Sequence, residues 1–378
     1  MTWHDNLPAI SAIASAETWQ AALGKILIEL GTVVPAYSIG LVYATQSFSH
    51  DLADIEILLR QSTGVSNWVG TIGYGVCGTT EEFYDKGAIS VLLLPIDKKD
   101  YRVFSDITDD TDPTIANMAD WLDTTNVPLI LTHADPQNQV VMGLIEDLSI
   151  ETQGYLIGGI CAAQGPQSQL ADGPTGSGLS GVIFDSTTIP AQTALTQGCS
   201  PIGAPHIITE GVENILISLD GKPALDVFKE DIGELLARDL SSVAGYIFAA
   251  IPVEGSDQQD YLIRNLTGID NDHSAMAIAA RLPTGAQVMF CRRDHDSAIK
   301  DMYRMLENLK SRIGDAPIKA GVYISCAARG PNQFSADEAE TKMIADILGP
   351  FPLTGFFANG EISHNRIYGY TGVLTLFI

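Results

Sequence analysis

The sequence predicts a mixed α/β (α+β) protein of repeated β-α-β-β units, which form mixed sheets flanked by helices in two related halves. The first observation is an internal repeat, because three apolar strands carry a glycine inside them and a second glycine opens the strand that follows. The second is the composition: 46% of the 378 residues are apolar, which provides ample material for buried cores. The three glycine pairs are Gly70 with Gly87, Gly158 with Gly181, and Gly355 with Gly372.

A lead-in helix is predicted before the first unit. Apolar residues recur at three-to-four-residue spacing over Ala14–Leu30, which is the period of a helix with one buried face. The first unit then has a strand over Ala36–Thr45, a helix that begins near Ser49 or Asp51, a strand through Gly70 and a strand over Ala88–Ile96.

The same order recurs twice. The second unit has a strand over Val127–Thr132, a helix over about Asn138–Ile150, and strands over Tyr155–Cys161 and Leu179–Phe184. The last unit has a strand over Gly321–Ala327, a helix over about Ala336–Leu348, and strands over Leu353–Ala358 and Gly369–Ile378. Three matches in element order indicate tandem relatives.

Between residues 187 and 316 the pattern changes to short β-prone runs separated by turn signals, which favours hairpins. The polar, proline-containing stretch around residues 185–193 is the best domain boundary, and it predicts domains over residues 1–190 and 191–378. The predicted hairpins pair Ile207–Thr209 with Asn214–Leu219 and Ala275–Arg281 with Ala286–Cys291, and the predicted helices are Ala224–Leu240 and Asp296–Ile313.

Net charge excludes several classes of partner. The 21 Lys and Arg residues stand against 46 Asp and Glu residues, so the formal charge is −25, which repels phosphate backbones and anionic lipid headgroups. No apolar run reaches the length of a bilayer span, and the first residues lack the pattern of a secretory signal. We therefore expect a cytoplasmic protein with no nucleic-acid partner and no membrane insertion.

The repeated glycines have two interpretations. Glycine inside a strand loses side-chain packing, so its recurrence at one place in each unit needs a cause. Either a neighbouring backbone packs close to it, or a ligand does. The second interpretation would place a cleft where the three glycine-bearing strands end, since strand ends carry sites more often than strand middles.

Four segments bear on the family of this chain: Gly198–Gly203, Leu219–Asp226, Gly321–Gly330 and Gly355–Ile362. Together they resemble the FIST domain pair. The likeness is close for the FIST C half over residues 198–378 and looser for the FIST N half over residues 1–190. The resemblance implies a sensory module of signal transduction that binds a small ligand such as an amino acid and acts through a separate signalling protein, such as a histidine kinase.

Candidate ligand-binding residues lie at the ends of the strands. The guanidinium of Arg264, Arg293 or Arg329 could hold a carboxylate in two parallel hydrogen bonds. Glu361 or Asp294 could then meet the ammonium group of an amino-acid-like ligand. Structural ion pairs with the many acids are the alternative role for each arginine. Further candidates at strand ends are Asn359, Gly360, Cys161 and Cys326, although Asn359-Gly360 is also a favoured hairpin turn.

Three alternatives stay open. Some relatives of this kind have been linked to haem and nitric oxide, and His206 and His364 are the histidines to test first as haem ligands. No metal-binding motif supports them. A cysteine-dependent enzyme could use Cys161, Cys199 or Cys326, but no base lies at a local spacing that indicates catalysis. An interaction scaffold without a ligand is the third alternative. We expect a protein without catalytic activity and without a resident cofactor.

Overall fold

The computed structural model describes residues 3, 7–163, 168–237, 240–243, 245–253 and 261–378. The chain divides into two compact units. One consists of Met1–Thr196 together with Met302–Ile378, and the other of Gln197–Asp301. The predicted domain boundary near residue 190 stays a prediction. The mixed α/β class and the repeated β-α-β-β units are confirmed.

Each of the three repeated β-α-β-β units is called a module from here on. The first module follows the predicted order, and a strand that was not predicted precedes its lead-in helix. Thr18 begins that helix, since its Oγ1 accepts a hydrogen bond from the backbone N of Ala21. The elements are β1 (Ile10–Ser15), α1 (Trp19–Leu30), β2 (Ile39–Thr45), α2 (Leu52–Thr63), β3 (Asn67–Gly73), β4 (Gly75–Gly78), β5 (Glu82–Tyr84) and β6 (Ala88–Leu94).

The second module contains the same series of elements, preceded by one strand and two short helices. Its elements are β7 (Tyr101–Ile107), α3 (Asp112–Asn117), α4 (Ala119–Leu122), β8 (Leu129–Ala134), α5 (Val141–Thr152), β9 (Tyr155–Ile160), β10 (Gln169–Ala171), β11 (Pro174–Thr175) and β12 (Leu179–Phe184). A further strand, β13 (Ala191–Gln197), follows it.

The unit over residues 197–301 is rich in antiparallel strands. The predicted pairing of Ile207–Thr209 with Asn214–Leu219 is confirmed. The predicted hairpin of Ala275–Arg281 with Ala286–Cys291 is wrong, because β20 pairs with β15 and β19, while β21 pairs with β14 and β17. The elements from here on are β14 (Cys199–Val212), β15 (Ile215–Leu219), β16 (Lys222–Pro223), α6 (Ala224–Ala237), β17 (Ile247–Pro252), β18 (Tyr261–Arg264), β19 (Leu266–Asp270), β20 (Ala275–Ile278), β21 (Gln287–Arg293) and α7 (His295–Ile313).

The predicted end of the helix over Ala224–Leu240 cannot be followed, because residues 238 and 239 lie outside the described ones. The third module then completes the chain. Its elements are β22 (Ala320–Cys326), α8 (Glu340–Leu348), β23 (Leu353–Ala358), β24 (Glu361–Ser363), β25 (Arg366–Tyr368) and β26 (Thr371–Phe377).

The three modules exchange their hairpins. In each module a short hairpin lies between the glycine-bearing strand and the last strand, and it pairs with another module's sheet. The hairpin β4–β5 extends the third sheet, β10–β11 extends the first, and β24–β25 extends the second. The strand orders are β1-β6-β2-β3-β10-β11, β25-β24-β9-β8-β12-β7 and β13-β26-β22-β23-β4-β5.

Three backbone hydrogen bonds link the crossing segments in a cycle. Each runs from the residue four positions after a repeated glycine to the carbonyl two positions after the repeated glycine of another module. The donor–acceptor pairs are Tyr74 N to Phe357 O at 2.9 Å, Asn359 N to Ile160 O at 3.0 Å, and Ala162 N to Ile72 O at 2.8 Å. The Asn359-Gly360 turn therefore carries the chain from one sheet into another and is not a hairpin turn.

Each repeated glycine in β3, β9 and β23 accommodates the backbone of the neighbouring parallel strand. A Cβ atom at any of them would lie far inside contact distance of a carbonyl oxygen, so no side chain fits. Of the two interpretations of these glycines, close backbone packing is the one that the structure supports. An added Cβ would lie 1.8 Å from Val42 O at Gly70, 1.8 Å from Thr132 O at Gly158, and 1.7 Å from Tyr323 O at Gly355.

Side chains from the three sheets meet in one buried cluster. The ring of Tyr43 stacks on Phe356 with centroids 4.8 Å apart, and His133 meets the same two rings edge-on. Burial lowers the pKa of His133 to about 3, so the imidazole is neutral, and its Nε2 lies 3.3 Å from the Tyr43 hydroxyl. This centre is a buried core of packed aromatic rings. None of the helices in the described part of the chain combines the length and apolar composition needed to cross a bilayer.

Candidate ligand-binding site

A pocket of about 350 Å³ lies where the exchanged hairpin β4–β5 meets the loop that joins β22 to α8. This volume is within the range of small-molecule sites. Aromatic rings and carboxylates form much of its wall, and a lysine lies at its side. The charged and aromatic lining residues are Glu81, Glu82, Phe83, Tyr84, Phe334 and Lys342.

Glu82 holds the hairpin to the start of α8. Its Oε1 accepts a hydrogen bond from the backbone N of Thr341 at 2.8 Å, and its Oε2 accepts one from the Tyr84 hydroxyl at 2.5 Å. A carboxylate at a helix N-terminus is stabilised by the unpaired N–H groups there. Burial raises the pKa of Glu82, and the nearby Glu340 raises it further, while the hydrogen bonds oppose the rise.

Behind this wall lies a fully buried ion pair. The carboxylate of Glu340 accepts hydrogen bonds from Arg329 Nε at 2.8 Å, from Tyr323 Oη at 2.7 Å and from Ser325 Oγ at 2.9 Å. Arg329 and Glu340 are both 0% exposed. The guanidinium also lies over the ring of Phe334, whose ring centroid is 5.1 Å from Arg329 Cζ. The predicted direct contact between Arg329 and a ligand is not supported by this burial, and we assign Arg329 a positioning role.

Glu361 and Cys326 lie near this ion pair but are also buried. Glu361 Oε2 accepts hydrogen bonds from the backbone N and the hydroxyl of Thr371, at 3.1 and 2.7 Å. Burial raises the pKa of Glu361 to about 8, although the bonds from Thr371 and the charge of Arg329 oppose the rise. Glu361 is therefore largely uncharged at neutral pH, which does not favour the predicted pairing with a ligand ammonium.

Three more predicted residues belong to the compact unit of Met1–Thr196 with Met302–Ile378, but they do not gather at the pocket. Cys161 is buried and accepts a hydrogen bond from the Thr71 hydroxyl at 2.8 Å. Asn359 is exposed on a crossing segment, and Gly360 beside it is buried with a positive φ of 131°. None of these three residues lines the pocket.

Arg264, Arg293 and Asp294 belong to the unit over residues 197–301. Asp294 begins α7, since its Oδ1 accepts a hydrogen bond from the backbone N of Ser297 at 2.8 Å. Its Oδ2 accepts another from the Ser200 hydroxyl at 2.8 Å. The carboxylate of Asp294 thus caps a helix, and none of these three residues lines the pocket beside β5 and α8.

The cysteine-dependent mechanism is disfavoured, because all five cysteines are buried. Burial raises the pKa of Cys161 to about 12, with a hydrogen bond from Thr71 opposing the rise, and burial together with Glu361 raises that of Cys326. A thiol with a pKa of about 12 is almost entirely protonated at neutral pH, and the thiolate is the nucleophile.

We expect iodoacetamide at neutral pH to leave the native protein unlabelled over a time in which it labels all five cysteines of the urea-unfolded chain. Intact-protein mass spectrometry measures both reactions. Rapid labelling of a single cysteine in the native protein would contradict this expectation and restore the enzymatic alternative.

The two histidines first considered as haem ligands do not fit that role. Burial would lower the pKa of His206, but hydrogen bonds to Asp220 at 2.7 Å and Asp231 at 2.9 Å outweigh it and raise the pKa. A protonated imidazole has no lone pair for iron. His364 is exposed and bonds to Asn365. Among the residues that the structure describes, no three His, Cys, Asp or Glu side chains form a metal-binding group.

The residues that line the pocket were not predicted from the sequence. Glu81-Glu82-Phe83-Tyr84 stands between the repeated glycines Gly70 and Gly87, in a stretch without helical or strand periodicity. An acidic and aromatic run inserted between two apolar strands was the available signal. This signal does not reveal that the hairpin pairs with the sheet of another module.

The sequence is similar to known proteins and matches two domain models. An uncharacterized protein of Mycobacterium tuberculosis is 28% identical over 367 residues, with 93% of each chain covered. An uncharacterized protein of Mycobacterium bovis is 32% identical over 193 residues, which are 49% of this chain and 50% of that protein. The model of the FIST N domain matches residues 38–222, and that of the FIST C domain matches residues 224–364. The chain therefore belongs to the FIST family.

Proposed function

We propose that this protein is a non-enzymatic sensor that binds a small amino-acid-like ligand in the pocket beside β5 and α8. FIST domains are sensory domains implicated in small-ligand binding in signal transduction, which supports the general class. The observation that carries the proposal is that a half-buried carboxylate, Glu82, and an exposed lysine, Lys342, both line the wall of one pocket.

Both groups retain hydrogen-bonding capacity for a zwitterion. Each carboxylate oxygen of Glu82 uses one lone pair within the protein and keeps another for a ligand ammonium. Lys342 Nζ donates one hydrogen bond to the carbonyl of Ala336 at 2.7 Å and has two further N–H donors for a ligand carboxylate. Phe83, Tyr84 and Phe334 offer apolar surface to a side chain.

Signalling would follow from unequal affinity of the ligand for two conformations. A ligand ammonium beside Glu82 would add a contact to the carboxylate that joins the exchanged hairpin to α8, and so would favour the docked hairpin. We propose that the output passes through a separate signalling protein such as a histidine kinase, in the cytoplasm.

A panel of the common amino acids, tested by thermal shift and then by titration calorimetry, checks the proposal. Glu82→Gln should weaken binding about tenfold or more, because a hydrogen bond to a charged group contributes about 1.5–3 kcal/mol. Lys342→Ala should weaken it by up to about fivefold, because an ion pair made by an exposed lysine contributes up to about 1 kcal/mol. Affinity should fall as the pH drops through the raised pKa of Glu82, because the ammonium binds the carboxylate form.

Glu17→Gln, on an exposed glutamate before α1, is the matched control and should leave affinity unchanged. The proposal fails if no amino acid raises the Tm of the wild type, or if binding occurs but is insensitive to both pocket variants.

A further inference from the structure

The solvent face of α5 differs from those of its counterparts in the other two modules. Met142 is 60% exposed and Ile150 is 63% exposed, and they lie eight residues apart along one side of the helix. Val140, just before the helix, is 50% exposed. The equivalent helix α2 exposes one large apolar residue, Ile57, and α8 exposes none. Exposed apolar residues that cluster in this way mark interaction sites more often than isolated ones do.

Acidic side chains surround this apolar stripe. Glu146 lies between Met142 and Ile150 at the four-residue spacing of helix neighbours, and the exposed Asp147 follows it. The apolar side of α5 that faces inward is separate, since it packs Leu144, Ile145 and Leu148 into the core. Met142 and Ile150 on the outward side are therefore not part of this core.

Cations are missing from the whole surrounding segment. No lysine or arginine occurs between Arg102 and Lys222, a stretch that contains α3, α4 and α5 and most of the second sheet. At the edges of this sheet, Arg102 on β7 stacks on Trp121 with Cζ 4.7 Å from the ring centroid, and Arg366 on β25 donates to Asn365 at 3.1 Å. The acids of α5 thus have no lysine or arginine on their own helix.

We propose that the outward face of α5 is a docking surface for an amphipathic, lysine- or arginine-rich polypeptide segment of a partner protein. Apolar residues of that segment would cover Met142 and Ile150, and its cations would pair with Glu146 and Asp147. Charge complementarity selects this occupant. A second copy of the chain, with a formal charge of −25, would be repelled, and so would an anionic membrane.

The test uses the full-length protein and a dye-labelled helical peptide with leucines on one face and lysines on the other, followed by fluorescence anisotropy. The double change Met142→Ser with Ile150→Ser leaves the charge unaltered and should weaken binding at least about tenfold, because each apolar side chain contributes to burial. Glu146→Gln with Asp147→Asn should weaken it about threefold and reduce its salt dependence.

The matched controls are Ile57→Ser on α2 and Asp346→Asn on α8, and both should leave binding unchanged. Hydrogen exchange should show protection of α5 when the peptide binds. Absence of binding, equal effects of Ile57→Ser and the α5 changes, or protection at another site would each overturn the proposal, because the peptide would then recognise either nothing or only the general negative charge.

Discussion

Gly355→Ala is expected to destabilise the protein by at least about 3 kcal/mol, enough to prevent folding if the wild type is marginally stable. The added Cβ would lie 1.7 Å from the carbonyl oxygen of Tyr323 on the neighbouring parallel strand, and backbone at this position cannot move without breaking the β22–β23 pairing. Urea unfolding followed by circular dichroism measures the loss.

Gly24→Ala is the control for this change. Gly24 lies on the exposed side of α1 with open space where a Cβ would stand. Alanine there should stabilise the protein by about 0.5–1 kcal/mol, since it lowers the entropy lost by a helical glycine. An ordinary substitution lowers the free energy of unfolding by about 1 kcal/mol. If Gly355→Ala lowered it by no more than that, the close-packing explanation of the repeated glycines would be contradicted.

Arg329→Ala is expected to cost about 3–5 kcal/mol, because it leaves the carboxylate of Glu340 buried beside no compensating charge. The effect should appear as a loss of global stability in urea whether or not a ligand is present. A residue that only contacted a ligand would instead lower affinity and leave the unfolding midpoint unchanged.

Two further variants sharpen this result. The double variant Arg329→Met with Glu340→Met removes both charges and should recover most of the lost stability. Lys99→Ala breaks an exposed ion pair with Asp97, 3.5 Å apart, and should change stability by less than about 1 kcal/mol. If Arg329→Ala proved as mild as Lys99→Ala, the structural role given to the buried pair would be wrong.

The sequence contained enough information for the repeated units because their signals are local. An apolar strand with a helix beside it is visible in its periodicity, and each repeated glycine is required where a neighbouring carbonyl leaves no space for Cβ. The element order therefore followed from the residues. Strand β1 was not predicted because its sequence, Ile-Ser-Ala-Ile-Ala-Ser, does not alternate apolar and polar residues and runs directly into a helical pattern.

The exchanged hairpins could not be predicted, because their pairing depends on contacts between distant segments. Val76 and Cys77 on β4 pair with Phe356 and Gly355, more than 270 residues away, and short strands carry no period that specifies a partner. The spacing of the glycine pairs showed that a further segment lies between the two strands of each pair. It did not show which sheet that segment joins.

The candidate site was only partly predictable for the same reason. Arg329 was named with Arg264 and Arg293 as a candidate carboxylate binder at a strand end, but its partner Glu340 begins the next helix and the ion pair is buried. The pocket is built from β5 of one module and the loop of another, so its composition follows from the exchange. Glu82 and Lys342 become neighbours of one cavity only in the folded chain.

The most direct test of the ligand-binding proposal is native mass spectrometry of the protein purified from its own cells, compared with a pocket-filled variant. Ala336 is exposed and lines the pocket, so Ala336→Trp should fill the cavity without disturbing a core, and Ala119→Trp on the exposed start of α4 is its control. We predict a small-molecule adduct on the wild type and on Ala119→Trp that is absent from Ala336→Trp. An adduct that persists in Ala336→Trp, or the absence of any adduct from all three proteins together with no amino-acid response, would contradict a sensor that uses this pocket.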